Sequence, residues 1–373
     1  MISPCMHHLY ANNASLLRMG FVLLAFALGA PFSASASSFG ERLYQVEVPV
    51  SDRSEGAREE ATREGGKRVL TRITGYRDPA DREELEELID GLERWVDSYQ
   101  YVTREDNDEE ELKLRVEFDD EALDRAVQAA EAPLWGRERP RTLVWLALRD
   151  GNEREILTEE DALERVPELL DAAKDRGIPL IFPIMDLEDR GAVGFADIWG
   201  GFDEEVLEAS ARYGANAILI GRIDQGSDRT RARWTLYEPD GDNRWQSEAE
   251  DRAEALAAGV DETADRFANR FAVIGGGDAE EDRIELRVRD LGRLEDYVEA
   301  ERYLSDLTPV ENVRLESLER DTAVFSLAVR GGRNSLDRAI RLGDRLVPVE
   351  TSEEDDAAGL VPVETLSTYR FRS

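Results

Sequence analysis

Two apolar runs in the middle of the chain, RTLVWLAL at residues 141–148 and NAILIGRID at 216–224, constrain the fold more than any other feature. Each is far shorter than the about 20 apolar residues that a membrane-spanning helix needs. Neither alternates in the manner of a strand with one wet face, so both read as strands buried on two sides. Between them, TEEDALERVPELLDAAKDRG (158–177) and FDEEVLEASARYG (202–214) carry helical periodicity and stop at Gly177 and Gly214. IPLIFPIMD (178–186) adds a further apolar strand. Strands alternating with helices predict a mixed, largely parallel sheet covered by helices on both faces.

The flanking segments predict smaller units. Upstream, RLYQVEVPVSD reads as a strand and SEGAREEATREGGKRVLTRITG as a helix capped by Ser54. DPADREELEELIDGLERWVDSY (78–99) reads as a second amphipathic helix with Leu85, Leu88, Leu92 and Trp95 on one stripe. Two paired strands and a helix follow, giving the order β-α-α-β-β-α. After the central sheet come a hairpin across PDGDN and a long helix at 253–271. The C-terminal elements run β-α-β-β-α-β, the ferredoxin-like split βαβ order, with LVPVE as the last strand. The expected division is α/β and α+β: a leader at 1–36, an N-terminal α+β domain at 37–135 and a central α/β domain at 136–274. A Gly/acidic linker at 275–283, a ferredoxin-like domain at 284–350 and an acidic tail with a closing strand at 351–373 complete it. LVPVET occurs twice, at 346–351 and 360–365.

Arg18 followed by MGFVLLAFALGA and the small-x-small triplet Ala34-Ser35-Ala36 has the layout of a cleavable secretory signal, cut before Ser37. The expectation is a periplasmic protein with no transmembrane segment after cleavage. Cys5, His7 and His8 are the only Cys and His of the chain, and all lie in that leader. An exported product therefore excludes disulfides, thiolate nucleophiles, imidazole bases and His- or Cys-ligated zinc. The formal charge of −35 argues against nucleic acid and anionic lipid as partners. With only Lys67, Lys113 and Lys174 as lysines, the composition also fits adaptation to high salt.

The candidate site is the acidic loop after the 178–186 strand. Asp186, Glu188, Asp189 and Asp197 fall within twelve residues, beyond the carboxyl end of a strand where open α/β sheets bind ligands. Such oxygens suit Ca²⁺ or Mg²⁺, although no EF-hand spacing or other metal motif is present and no cofactor is expected. The bland alternative has Asp186 capping backbone amides and the other acids pairing with Arg190 and Arg222. Trp135 and Trp199 are the tryptophans expected at the surface, whereas Trp95, Trp145, Trp234 and Trp245 sit at core periods. Arg212, Tyr213 and Arg222 are polar handles near the loop. GGKR at 65–68 lacks the Walker A pattern and reads as helix. No nucleophile, base and orienter set emerges, so no catalytic residue is expected.

LYQVEVPVSD with VLTRITG, then PLIFPIMDLED, DIWGGFDEEVLEASARYGANAILIGRI and a Trp-containing hairpin resembles the exported bacterial family called domain of unknown function 2066. The resemblance implies a Gram-negative envelope protein and carries no catalytic residues. A fold-level analogy links the middle unit to α/β domains of periplasmic assembly factors, which act by contact. The expected function is non-enzymatic protein binding or scaffolding with an envelope protein partner. The alternative is binding of a small ligand or divalent cation by the Asp186–Trp199 loop.

Overall fold

The computed structural model describes residues 40–106, 109–275, 283–349 and 367–372. The leader, most of the glycine-acid linker and the second LVPVET copy lie outside the described residues. The protein is a mixed α/β molecule with several sheets and helices.

The N-terminal sheet has the order β1-β3-β2, all antiparallel, from β1 (Gln45–Pro49), β2 (Val96–Asp106) and β3 (Glu109–Phe118). Helix α1 (Glu55–Thr74) packs against it. Ser54 caps α1 by accepting from the Ala57 amide, and Gly75 ends it at φ +80. Its mid-helix glycines explain the GGKR motif. A Cβ on Gly65 would come within 2.6 Å of the Val46 side chain, and one on Gly66 within 2.6 Å of Leu92. Each glycine costs the helix about 1 kcal/mol against alanine, and the closer approach to β1 at Gly65 and to the Leu92–Trp95 turn at Gly66 offsets it.

The second amphipathic helix expected at 78–99 is not continuous. Among these residues only α2 (Glu86–Asp90) is α-helical, flanked by 3₁₀ turns, and Trp95 already leads into β2. Asp78 caps Ala80, Pro79 starts one turn and Gly91 stops another. The stripe still points inward, with Leu85, Leu88 and Leu92 buried. Helix α3 (Asp120–Ala129), capped by Asp119, and the short β4 (Pro133–Leu134) close this part.

The central sheet runs β10-β9-β8-β5-β6, built from β5 (Thr142–Asp150), β6 (Glu153–Ile156), β7 (Leu180–Ile181), β8 (Ala217–Gln225), β9 (Thr230–Glu238) and β10 (Gly241–Ala249). It is less parallel than expected: β8 and β7 run parallel to β5, whereas β6, β9 and β10 join antiparallel. Two prolines account for the shortfall. Pro179 and Pro183 bracket Leu180–Ile181 and cannot donate to the ladder, so the expected nine-residue strand contracts to two residues. The rest of that β5 edge is taken by β6, a hairpin return over Gly151 at φ +57. Pro167 likewise splits the expected helix into α4 (Glu159–Arg165), with a Thr158–Asp161 capping box, and α5 (Pro167–Arg176).

Successive β5 residues face opposite layers. Val144, Leu146 and Leu148 pack with α4, α5 and α9 (Arg252–Phe271), while Leu143, Trp145 and Ala147 pack with Met185, Val193, Ile198 and Val206. That second layer holds α6 (Leu187–Ala192), α7 (Phe195–Gly200) and α8 (Asp203–Ser210). The expected loop at 186–199 is thus two short helices. In the first layer Trp234 fits between two glycines: a Cβ on Gly221 would lie 2.6 Å from its ring and one on Gly259 2.2 Å.

The N-terminal sheet is joined to the central one at the end of α1. Arg139 Nη2 donates to Arg72 O at 2.9 Å, the Trp135 amide to Ile73 O at 2.6 Å and Arg176 Nη2 to Gly75 O at 3.0 Å. Two buried guanidiniums thus take the orphan carbonyls at the negative end of a helix. Trp135, expected at the surface, is 1% exposed because Arg139 covers its ring at 3.7 Å.

After β11 (Val273–Ile274), which pairs with β4, the C-terminal sheet comprises β12 (Arg283–Arg289), β13 (Val310–Glu319), β14 (Thr322–Val329), β15 (Leu346–Pro348) and β16 (Ser367–Phe371). Helices α10 (Leu294–Asp306) and α11 (Gly332–Leu342) pack with it around a core that includes Phe325, Leu327 and Leu336. Its order is β13-β14-β12-β16-β15. The strand from the first LVPVET does not pair with β12 as the last strand of a four-stranded arrangement would. The closing segment inserts β16 between them, parallel to β12. No helix among the described residues is long and apolar enough to cross a membrane.

Candidate functional site

Asp186 starts α6 as its N-cap, its Oδ1 accepting from the amides of Glu188 at 3.0 Å and Asp189 at 3.1 Å. Such an aspartate leaves its second oxygen free to reach outward, and Arg212 meets it there. Arg212 follows α8 in a single 3₁₀ turn, Ala211–Tyr213. It forks onto Asp186, Nη1 to Oδ1 at 3.0 Å and Nη2 to Oδ2 at 2.9 Å, and Nη1 also donates to Asp189 Oδ1 at 3.1 Å. Bidentate guanidinium–carboxylate pairs are the strong ones. The Arg212 hydrogen bond, with help from the two amides, holds the Asp186 carboxyl well below the usual range, and Asp186 in turn pushes the guanidinium up.

Asp189 is buried, 1% exposed, yet fully satisfied. Its Oδ2 accepts from the Met185 amide at 2.9 Å and from the Tyr213 hydroxyl at 2.5 Å, and its Oδ1 takes the Arg212 bond. The Tyr213 oxygen accepts from the Ile184 amide at 2.9 Å. Burial and the Asp189 hydrogen bond raise the tyrosine's pKa, so it stays a neutral donor. The structure therefore brings Asp186, Asp189, Arg212 and Tyr213 into one network, with Glu188 at its rim 3.6 Å from Arg212. Every inward carboxylate oxygen faces a donor, and a guanidinium stands where a cation would need to sit. These residues do not fit a Ca²⁺ or Mg²⁺ site. Among the described residues, no group of three or more His, Cys, Asp or Glu is arranged to hold a metal.

The other expected residues belong elsewhere. Asp197 caps α7, accepting from the Gly194 amide at 2.8 Å. Trp199 is half-buried, stacked on Phe195 at 5.2 Å with the Arg149 guanidinium 4.5 Å from its ring centre. Arg222 is 9% exposed and does not pair with the 186–197 acids. It donates to Ile198 O and, at 2.5 Å, to Asp203, which also accepts from the Tyr237 hydroxyl at 2.7 Å. The acids of α6 pair with Arg212, which no spacing argument singled out over Arg190.

What sequence reasoning missed is apolar. On the α6–α8 layer Leu187 is 90% exposed, Ile184 67% and Phe202 58%. Leu187 is the first residue of α6, directly after Asp186, and so lies beside the network. Periodicity could not reveal this, because a six-residue helix shows less than two turns. A separate cleft of about 600 Å³ lies between Thr74–Arg82 and α9. Its charged wall is largely paired: Arg77 donates to Asp265 at 2.7 Å, and Arg82 stacks 4.1 Å from the Tyr76 ring.

Residues 40–136 match the model of a family described as Domain of unknown function (DUF8605). This overturns the resemblance to domain of unknown function 2066. The match falls on β1 through Gly136 and not on the central block that carried that resemblance. No curated protein matches the chain. Among solved structures, a formyltetrahydrofolate deformylase from Pseudomonas putida KT2440 aligns with 14% identity, covering 61% of this chain and 91% of that one. Its TM-score is 0.13, and it bears on neither fold nor function.

Proposed function

We propose that this chain is a non-enzymatic protein-binding or scaffolding factor, exported to the periplasm of a Gram-negative envelope, and that its partner docks on the α6–α8 layer. The observation that carries the reading is Leu187, 90% exposed at the start of α6 beside the Asp186–Arg212 pair. Covering it would contribute about 2 kcal/mol to an interface. The closed Asp186–Arg212–Asp189 network weighs against ligand or cation binding by the same residues. We read the fold as three units, the last an elaborated ferredoxin-like arrangement, and the acid excess as salt adaptation. Affinity capture from an envelope fraction tests the reading. A partner retained by the full chain and lost with Leu187→Ser supports it; an identical partner list for both sinks it.

A further inference from the structure

We infer that the α6–α8 surface takes a cationic amphipathic segment of a partner protein, its apolar residues set at two ends and its Lys or Arg residues between them. This rests on the docking reading above and adds the partner's chemistry. Ile184 and Leu187 mark one end, where Arg212 ties the close of α8 to the start of α6. Phe202 marks the other, as the residue immediately before α8. The eight residues of α8 separate the two ends by about 12 Å.

Between them α8 buries Val206 and Ser210 and turns Glu204, Glu205 and Glu208 outward as one exposed face. Glu188 adds a further exposed carboxylate beside Leu187. Most cations here are engaged: Arg212 by Asp186, Arg222 by Asp203, Arg149 by Asp224 beside Trp199, and Arg244 3.3 Å from Asp242, while Arg190 and Arg233 are exposed. The surface is thus apolar, acidic, apolar along its length. Nucleic acid and anionic lipid carry the wrong charge for it. A second copy presents the same acids, and the chain's −35 charge opposes self-association through this face. A segment with leucines or phenylalanines spaced to reach both ends and basic residues between matches apolar to apolar and charge to opposite charge.

The test uses the full chain and short fluorescent synthetic peptides read by anisotropy: a leucine/lysine amphipathic helix, its leucine/glutamate counterpart and a lysine/serine control. The leucine/lysine peptide should bind, weaken about tenfold on Leu187→Ser, and yield to the leucine/glutamate peptide in an E204K/E205K/E208K variant. Leu187 is exposed, so its replacement leaves the core intact. Equal binding of the leucine/lysine peptide to wild type and L187S would overturn the inference, since the attraction would then be the diffuse anionic surface. If the leucine/glutamate peptide binds wild type as well as the leucine/lysine one and both need Leu187, docking stands and the cationic partner falls. Absence of binding by any peptide overturns the inference while leaving the capture experiment to judge docking itself.

Discussion

Asp124 offers a quantitative test of how the N-terminal core is held. It lies on α3 and accepts the hydroxyl of Tyr44, which is 2% exposed, at 2.6 Å. Burial pushes the Asp124 carboxyl from its ordinary 3.8 up to about 6, against the opposing pull of Tyr44, Arg137 and Arg139. The native state therefore keeps a proton that the unfolded chain releases as pH rises through 3.8. Stability from this residue is greatest below that value and is lost progressively until pH passes 6. The gap corresponds to about 3 kcal/mol. Asparagine cannot ionise, and its carbonyl can still accept the Tyr44 hydroxyl. Asp124→Asn should leave stability unchanged near pH 3 and raise it by up to about 3 kcal/mol at pH 7 relative to wild type. Urea unfolding at a series of pH values, at constant high salt to screen the other carboxylates, gives both curves. Parallel curves from pH 4 to 7, or a less stable variant at pH 7, would refute the reasoning.

Glu47 has the opposite sign. The hydrogen bond from Arg104, supported by Arg115, brings its carboxyl down to about 2, so its contribution is present above the ordinary 4.5 and lost as pH falls through 2. Glu47→Gln should cost about 1 kcal/mol at pH 7 in chemical denaturation, half-exposed Arg104 limiting the effect, and nothing in acid. A Cβ on Gly136 would lie 1.4 Å from Thr308 Oγ1, so Gly136→Ala should destabilise by about 1–3 kcal/mol; Thr308→Gly in the same chain should restore most of it. Gly259→Ala drives a methyl into Trp234 and should lower the melting temperature with a change in tryptophan emission. If the acid excess is salt adaptation, the melting temperature should climb with NaCl; a flat profile would dismiss it.

Much of the fold can be read from residues whose physics is local. The runs around Leu143–Leu148 and Ile218–Ile223 read as strands because they are too short for an ordinary buried helix and alternate with helical segments. Ser54, Gly177 and Gly214 marked helix ends by capping and left-handed backbone. Errors arose where one residue overrode a pattern. Pro167 cut a helix, Pro179 and Pro183 shrank a strand, and the 78–99 stripe kept its inward leucines without keeping its helix. Strand order was less legible: nothing in STYRF announces that it inserts between β12 and β15. For the site, the sequence brought forward the acids together with Arg212 and Tyr213, but matched the acids with Arg190 and Arg222. Arg212 reaches Asp186 only because α8 returns beside α6, a tertiary fact. Leu187 stands exposed beside that pair, which no pattern in the sequence foretold.

The central claim is that the surface built by the Asp186–Arg212 network serves contact with a partner. Its most direct test is a photo-crosslinking amino acid placed at position 187 of the full chain in living cells, with a control at exposed Arg63 on α1, away from that surface. A discrete crosslinked protein is expected from position 187 that is weaker or absent from the control. No product from 187 above the control would contradict it.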